Sequence, residues 1–237
     1  MSTATLPDTR LRWGAAFEAL DRLMRDKDDT VAVFDIMRAL DGRAPERGAR
    51  RLLRERGQAW IDREPAPLAP WLAEAARRSW PEGSVGAAYR DFVERTGLTA
   101  EGLVEVSLVG EVQAEDARET PAAQFGCRIR DTHDLWHVMS GYGTDGTGES
   151  CVVAFSYAQL GGLGWALIAL GTALEAALAR RFDVVRAVWE GWRLGRRAHW
   201  LPAEPTAALM MEPLEQVRLR MRIGTPRAYL SIQPSRR

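Results

Sequence analysis

Residues 130–150, "RDTHDLWHVMSGYGTDGTGES", hold two of the chain's three histidines. His133 and His137 are four positions apart, so on a helix they lie one turn apart on the same face. Asp134 follows the first histidine, and Glu149 follows a glycine-rich loop. Imidazole nitrogens and carboxylate oxygens bind divalent metal ions, and a carboxylate beside a histidine can also fix the orientation of its ring. These four side chains are therefore candidate metal ligands.

The rest of this predicted helix is mostly apolar, with Leu135, Trp136, Val138 and Met139 around its circumference. A helix that is apolar over most of its surface is expected to be buried, so its polar sector should face an internal cleft. The alternative is a neutral network in which two core histidines bond to the two carboxylates. Two acidic residues and a loop that can return the chain favour the metal site over that network.

Two other catalytic patterns fit less well. The zinc-protease helix has Glu after its first histidine as general base, whereas this chain has Asp134, which is one methylene shorter. A His-Asp phosphohydrolase needs further histidine ligands, and the remaining histidine, His199, lies far along the chain in "RRAHWLP". We therefore expect His199 to be structural.

The elements around this segment are predicted to be helical. Apolar residues recur at helical spacing in residues 13–24 and 30–40, which predicts a helical hairpin, and Ser84 is a predicted helix cap. Residues 103–113 alternate well enough for a strand or an irregular segment, but one such run cannot build a sheet. The predicted fold is mainly α, a single-domain helical bundle with a metal-binding helix pair at its centre.

The chain carries no charge from Ser150 to Leu174. That length raises the question of a membrane span. Gly161, Gly162 and Gly164 lie within the run, where glycine weakens or bends a helix. We therefore expect a buried helix or a bent helix pair, whose small residues leave room for a long apolar ligand.

The overall composition bounds the partners and the compartment. Thirty-two basic and 32 acidic residues cancel, so no net charge recruits nucleic acid. Two cysteines are too few for a disulfide scaffold, and the first residues have neither the apolar core of a secretory signal nor the arginines of a transit peptide. These features predict a cytoplasmic protein of bacterial type.

The signature resembles that of the coenzyme Q biosynthesis protein 4 family, His-Asp-x-x-His followed by eleven residues and Glu. In this chain it is His133, Asp134, His137 and Glu149, with the spacing intact. The likeness extends over residues 10–225, and it includes "DDTVAVFDIMRALDG", "PEGSVGAAYRDFV" and "EPLEQVRLRMRI". "GSVG" departs from the Gly-Ser-Leu-Gly that is usual in the family. The resemblance implies one domain over residues 10–225, with tails at 1–9 and 226–237.

The resemblance also implies an activity. The family acts in ubiquinone biosynthesis and has been assigned an oxidative decarboxylation, in which hydroxyl replaces the ring-1 carboxylate of a prenylated 4-hydroxybenzoate-derived intermediate. Asp134, Glu149 and Arg130 are then the expected catalytic residues, with Arg130 or Arg128 pairing with the substrate carboxylate. The expected cofactor is a divalent metal ion at all four signature residues. Zinc is the first expectation, and iron, manganese and magnesium are alternatives.

The expected partners are the prenylated quinone precursor, other ubiquinone biosynthesis enzymes and a second copy of the chain. The resemblance implies peripheral association with the membrane, which for a cytoplasmic protein is the inner face of the cell membrane. The alternative function is a non-catalytic scaffold that binds a prenyl lipid and organises the biosynthetic complex.

Overall fold

The structure, a computed structural model, describes residues 10–61, 64, 68–107 and 120–234, apart from the side chains of Trp60, Val106 and Ser107. Within these residues the regular elements are helices, and the extended pairing is one antiparallel bridge between Ser84 and Pro213. The prediction of a mainly α fold is confirmed. The helices are α1 (Trp13–Arg25), α2 (Thr30–Leu40), α3 (Ala44–Arg56), α4 (Gln58–Ile61), α5 (Leu68–Ala75), α6 (Val85–Thr96), α7 (Ala100–Ser107), α8 (Pro121–Asp131), α9 (His133–Ser140), α10 (Gly146–Leu160), α11 (Leu163–Leu178), α12 (Phe182–Arg197), α13 (Thr206–Leu209), α14 (Leu214–Arg220) and α15 (Arg227–Leu230).

The predicted hairpin is present as α1 and α2. Asp29 caps α2 by accepting a hydrogen bond from the backbone N–H of Ala32 at 2.8 Å. The hairpin packs on α11, and one core joins its apolar face to α10, α11 and α12. Ile36 and Val152, both fully buried, are members of that core.

The uncharged segment forms the predicted bent helix pair. α10 ends at Leu160, the next residue, Gly161, has a φ of 72° in the left-handed region, and α11 begins at Leu163. Within the described part of the chain, no helix combines the length and the apolar character that crossing a bilayer requires.

α10 lies in the middle of the bundle, where it contacts α9, α11, α12 and α15. Of these helices, α12 packs very closely against it. A Cβ atom at Gly191 of α12 would lie 2.5 Å from the carbonyl oxygen of Cys151 in α10. A second core surrounds α9 with residues of α5, α6 and α14, and Trp136 meets Phe155 of α10 there, their ring centroids 6.3 Å apart. The predicted central helix pair is therefore α9 and α10.

Two segments differ from their predicted form. Residues 103–107 are helical, within α7, so the prediction of a strand or irregular segment is wrong there; residues 108–113 lie outside the described residues. Thr99 caps α7 through its hydroxyl, which accepts from the N–H of Gly102 at 3.1 Å. Residues 227–230, assigned to a tail, form α15, in which Tyr229 is buried. The predicted domain limits otherwise stay a prediction.

Candidate metal centre

The histidine pair lies on a short buried helix. Arg130 does not share one helix with the histidines, because α8 ends at Asp131 and Thr132 has φ −90° and ψ 2°. The Thr132 hydroxyl donates to the carbonyl of Arg128 at 2.8 Å, which stabilises this break. α9 then begins at His133, and all its later residues are buried. His133 and His137 therefore keep their one-turn spacing within α9.

The loop after α9 returns the chain so that α10 starts beside the histidines. Asp145 caps α10 and accepts from the backbone N–H groups of Thr147 and Gly148. A Cβ atom at Gly148 would lie 2.1 Å from the carbonyl oxygen of Gly143, so only glycine permits this close crossing of the loop and α10. Glu149 lies in the first turn of α10 and projects toward His137.

Three of the four predicted ligands come together. Ligand atoms of His133, His137 and Glu149 all lie within 4.8 Å of one another. Nε2 of His137 is 3.4 Å from Oε1 of Glu149. Two atoms bound at about 2.0–2.2 Å to one tetrahedral ion lie roughly 3.3–3.6 Å apart, so this pair already has the separation that a shared ion requires.

The ring of His137 is oriented for metal binding. Its Nδ1 lies 3.2 Å from the backbone oxygen of Tyr142, and a carbonyl can only accept, so Nδ1 carries the proton. Nε2 then has a free lone pair, and among the described residues this buried atom has no hydrogen-bond partner. The ring of Phe92 stacks on the imidazole, with centroids 5.8 Å apart. The residues therefore fit a metal ion better than the neutral network, which would satisfy Nε2.

Asp134 lies beside His133 and is not one of the three converging groups. Oδ1 of Asp134 is 3.7 Å from Nδ1 of His133. Burial lowers the pKa of His133, but Asp134 and the charge of Glu149 outweigh it, so this pKa is raised above its ordinary value. Burial raises the pKa of Glu149, but His137 and then His133 reverse the effect, so this pKa is lowered. Both shifts favour the charged form, that of the His133 ring and that of the Glu149 carboxylate.

The centre is open on one side. The side chain of His137 is 1% exposed, that of His133 20% and that of Glu149 39%. Structural zinc sites are closed by four protein ligands, whereas catalytic sites keep a position open for water or substrate. Here three ligands converge, and their exposure rises from His137 to His133 to Glu149. The cluster therefore resembles a site that keeps one position open.

The two arginines that were candidates for substrate binding have protein partners. Nε and Nη2 of Arg130 lie 2.9 and 2.8 Å from Oδ1 of Asp131. Arg128 is buried and donates to the carbonyls of Pro202 and Glu204, and it forms an ion pair with Glu64 at 3.2 Å. Arg128 thus anchors α8 to the segment that follows α12.

The groups that orient the ligands were not predicted from the sequence. An acidic residue directly before a predicted helix indicates an N-cap, so Asp145 could have been found from the sequence. The carbonyl of Tyr142 and the ring of Phe92 carry no such signal, because their roles depend on how distant segments pack.

Comparison with known proteins identifies a family and a fold. The model of the family described as "Coenzyme Q (ubiquinone) biosynthesis protein Coq4" matches residues 46–226. A crystal structure from Nostoc punctiforme, provisionally designated a ubiquinone biosynthesis protein, superposes with a TM-score of 0.65 at 20% identity, covering 91% of this chain and all of that one. At that identity the superposition supports the fold alone.

Curated relatives match over shorter stretches. The "Ubiquinone biosynthesis protein coq4, mitochondrial" of Aspergillus flavus is 29% identical over 128 residues, covering 54% of this chain and 39% of that protein. The protein of the same name from Sclerotinia sclerotiorum is 25% identical over 162 residues, covering 68% and 51%. The chain thus spans about half the length, or less, of the curated relatives it matches.

These relatives correct one prediction. The predicted cytoplasmic location at the inner face of a cell membrane is wrong, because the relatives are named mitochondrial and point to that compartment instead. Composition could not reveal this, since balanced charge and few cysteines describe proteins of several compartments equally well.

Proposed function

The chain belongs to the Coenzyme Q (ubiquinone) biosynthesis protein Coq4 family, and from that premise we propose that it acts in ubiquinone biosynthesis as a metal-dependent enzyme. The observation that carries the proposal is the open cluster of His133, His137 and Glu149, in which Nε2 of His137 has no hydrogen-bond partner within the described chain. A site that served only to hold the fold would be expected to be closed.

The proposed reaction replaces a ring carboxylate by hydroxyl on a prenylated 4-hydroxybenzoate-derived intermediate. The carbon–carbon bond to the carboxylate breaks and releases carbon dioxide, while a carbon–oxygen bond forms at the same ring carbon. With dioxygen as the oxygen source, its second atom leaves as water, and an external donor and the solvent together supply two electrons and three protons. A bound divalent ion supplies Lewis acidity, and two nitrogen ligands with one oxygen ligand suit zinc, iron or manganese.

The residues of the chain then have separate roles. His133, His137 and Glu149 hold the ion, and Glu149, the most exposed of the three, faces the open side, where it can also move a proton. Oδ1 of Asp134 lies 3.7 Å from Nδ1 of His133, and this proximity supports a role for Asp134 in orienting that ring. Direct ligation by Asp134 stays a prediction, as does a catalytic role for Arg130.

A cleft along α6, the helix whose Phe92 stacks on His137, supplies a candidate binding site for the aromatic acid. It has a volume of about 290 Å³ and is lined by Tyr89, Arg77 and Arg90, among others. Tyr89 is buried, and this burial and then the charge of Asp134 raise its pKa. Arg90 pairs with Asp91 at 2.9 Å, whereas Arg77 lines the cleft without a described ion pair. We infer that Arg77 binds the substrate carboxylate.

The scaffold alternative has an observation in its favour. Along α11, Leu170, Leu174 and Leu178 are 68%, 62% and 78% exposed. Three large apolar side chains on one solvent-facing helix suit a prenyl tail, a membrane surface or another protein of the pathway. Such a surface would serve an organising protein as well as an enzyme.

The test uses a host that lacks its own family member and expresses wild type, Glu149→Gln or Asp134→Asn, with His199→Ala as control. Cells receive 4-hydroxybenzoate labelled at the carboxyl carbon, and prenylated aromatics and quinone are measured by mass spectrometry. We expect Glu149→Gln to stop quinone production and to leave a prenylated acid that keeps its label. If the label leaves at the wild-type rate while quinone is lost, the scaffold function replaces the enzymatic one.

A further inference from the structure

We propose that Tyr229 is a positioning residue of the metal centre, which holds the loop between the histidine helix and Glu149 in its ligand-binding form. The inference rests on the metal site of the proposed function. Tyr229 lies 92 positions after His137 and beyond the residues matched by the family model, which end at 226.

The hydroxyl of Tyr229 makes two hydrogen bonds with this loop. It donates to Oδ2 of Asp145 and accepts from the backbone N–H of Gly143 at 2.9 Å. The other carboxylate oxygen of Asp145 accepts from the N–H groups of Thr147 and Gly148 at 3.1 and 3.2 Å. One hydroxyl thus fixes both the middle of the loop and the side chain that caps α10.

The cap transmits this position to a ligand. The carbonyl of Asp145 accepts the N–H of Glu149 at 2.9 Å, so the first turn of α10 is built on the residue that Tyr229 holds. Displacement of Asp145 would move the start of α10, and Glu149 with it. Its carboxylate would then no longer meet Nε2 of His137 at the observed 3.4 Å.

The ring of Tyr229 contacts the residue that orients the second ligand, His137. It packs edge-on against the ring of Tyr142, with centroids 5.3 Å apart at 71°, and both side chains are buried. Tyr142 supplies the carbonyl that orients His137. Tyr229 therefore contacts both groups that set the ligands, Asp145 for Glu149 and Tyr142 for His137.

Two features fix the position of Tyr229 against the loop. A Cβ atom at Gly143 would lie 2.4 Å from Oη of Tyr229, so the hydroxyl approaches the backbone where only glycine leaves room. The short helix that carries Tyr229 is fixed in turn, because the N–H of Ala228 donates to Oε2 of Glu190 in α12 at 2.7 Å. The core of the bundle thus supports the loop through α12 and α15.

A tyrosine that merely fills the core would depend on its ring, whereas the proposed role depends on its hydroxyl. The test is therefore Tyr229→Phe, with Tyr157→Phe on α10 as the matched control. Ile36→Val in the core, which removes one buried methyl group, serves as a destabilised control. Metal-free proteins are titrated with Co²⁺, which is followed by its visible absorption, and thermal midpoints and amide hydrogen exchange are measured without metal.

We expect Tyr229→Phe to weaken Co²⁺ binding about 10-fold or more, as is typical when a group behind a ligand is lost. It should also change the Co²⁺ spectrum and accelerate exchange of the Gly143 amide. Tyr157→Phe and Ile36→Val should leave Co²⁺ affinity and spectrum unchanged. Gly143→Ala, which pushes the hydroxyl away and retains Tyr229, should repeat the loss of affinity if Tyr229→Phe does not fold.

The outcomes separate this proposal from the one it rests on. Unchanged Co²⁺ affinity in Tyr229→Phe, or an equal loss in Ile36→Val, overturns the positioning role and leaves the metal site intact. A wild-type protein that binds no Co²⁺ overturns both. Retained affinity in Gly143→Ala would also overturn the positioning role.

Discussion

Nδ1 of His137 lies 3.2 Å from the carbonyl oxygen of Tyr142, and this contact decides which ring nitrogen faces Glu149. It exists because Gly141, the residue after α9, has a φ of 81° in the left-handed region and turns the chain back toward the ring. The turn that follows the helix therefore also sets the tautomer of His137, a candidate metal ligand. A helix that continued past Gly141 would keep this carbonyl from reaching His137.

Metal content is the first prediction. Purified wild type should bind about one divalent ion per chain, and His137→Ala should lose it, because each ligand of an open three-ligand site contributes a large share of the affinity. The measurement is elemental analysis after dialysis against buffered zinc. His199→Ala removes an exposed histidine far along the chain and should keep the ion. If both substitutions lower the metal content equally, the ion is bound elsewhere.

The second prediction compares two glycines at the start of α10. A methyl group at Gly148 would lie 2.1 Å from the backbone of Gly143, whereas one at Gly146 would meet nothing within 4 Å. Gly148→Ala must therefore shift the loop or α10 and should weaken Co²⁺ binding about 10-fold or more. Gly146→Ala should bind like wild type. Equal affinities would mean that the loop can adjust without moving Glu149.

The third prediction concerns substrate recognition in the cleft. Arg77→Gln should raise the KM for the aromatic acid by roughly 10-fold or more, because a charge-assisted contact to its carboxylate is lost. Arg78→Gln is the matched control, since Arg78 is equally exposed but pairs with Glu74 at 2.7 Å. Steady-state kinetics on cell extracts fed the prenylated acid provides the measurement. A similar KM for the two variants would remove Arg77 from the binding site.

Much of the fold was readable because helical periodicity and caps are local signals. The hairpin α1–α2, the Ser84 cap and the break at Gly161 each follow from neighbouring residues, and each is present. The segment at residues 103–107 was misjudged because alternation over five residues also occurs on a helix that packs on two sides. There α7 contacts both α5 and α8.

The candidate site was readable only in part. Spacing along a helix brought His133 and His137 together, and the glycine loop correctly returned Glu149 to them. Spacing could not show that Asp134 turns toward His133, nor that Arg130 pairs with its neighbour Asp131. Those outcomes depend on packing against other elements, which no local pattern encodes.

The fourth prediction tests the close packing of α12 on α10. Gly191→Ala should destabilise the fold by about 1–3 kcal/mol, since its methyl group would lie 2.5 Å from the backbone of Cys151. Gly126→Ala, at an exposed position of α8, adds a methyl group that meets nothing within 4 Å and should stabilise by up to about 1 kcal/mol through helix propensity. Thermal unfolding distinguishes the two signs, because each kcal/mol shifts the Tm by roughly 2–4 °C in a chain of this size. A stabilising effect of Gly191→Ala would show that the two helices can separate without cost.

The fifth prediction is that pH acts oppositely on the metal-free and metal-bound proteins. The pKa of His133 is raised above its ordinary 6.5, so its contribution to stability is fully present below pH 6.5 and is lost as pH rises through the raised pKa. The pKa of Glu149 is lowered below its ordinary 4.5, so its contribution is present above pH 4.5 and is lost only as pH falls through the lowered pKa. An ion requires His133 without its proton, so stabilisation by metal grows as pH rises.

Between about pH 5 and pH 8, where histidine titrates, the difference in Tm between zinc-saturated and chelator-treated protein should therefore increase with pH. His133→Asn removes the titrating ring, so the part of the pH dependence of both Tm values that comes from this ring should disappear. The variant therefore separates the effect of His133 from other ionisations along the chain. The measurement is thermal unfolding at several pH values, with and without chelator. Parallel pH profiles for the two wild-type forms would mean that zinc does not compete with the proton on His133, and His133 would then no longer be counted among the ligands.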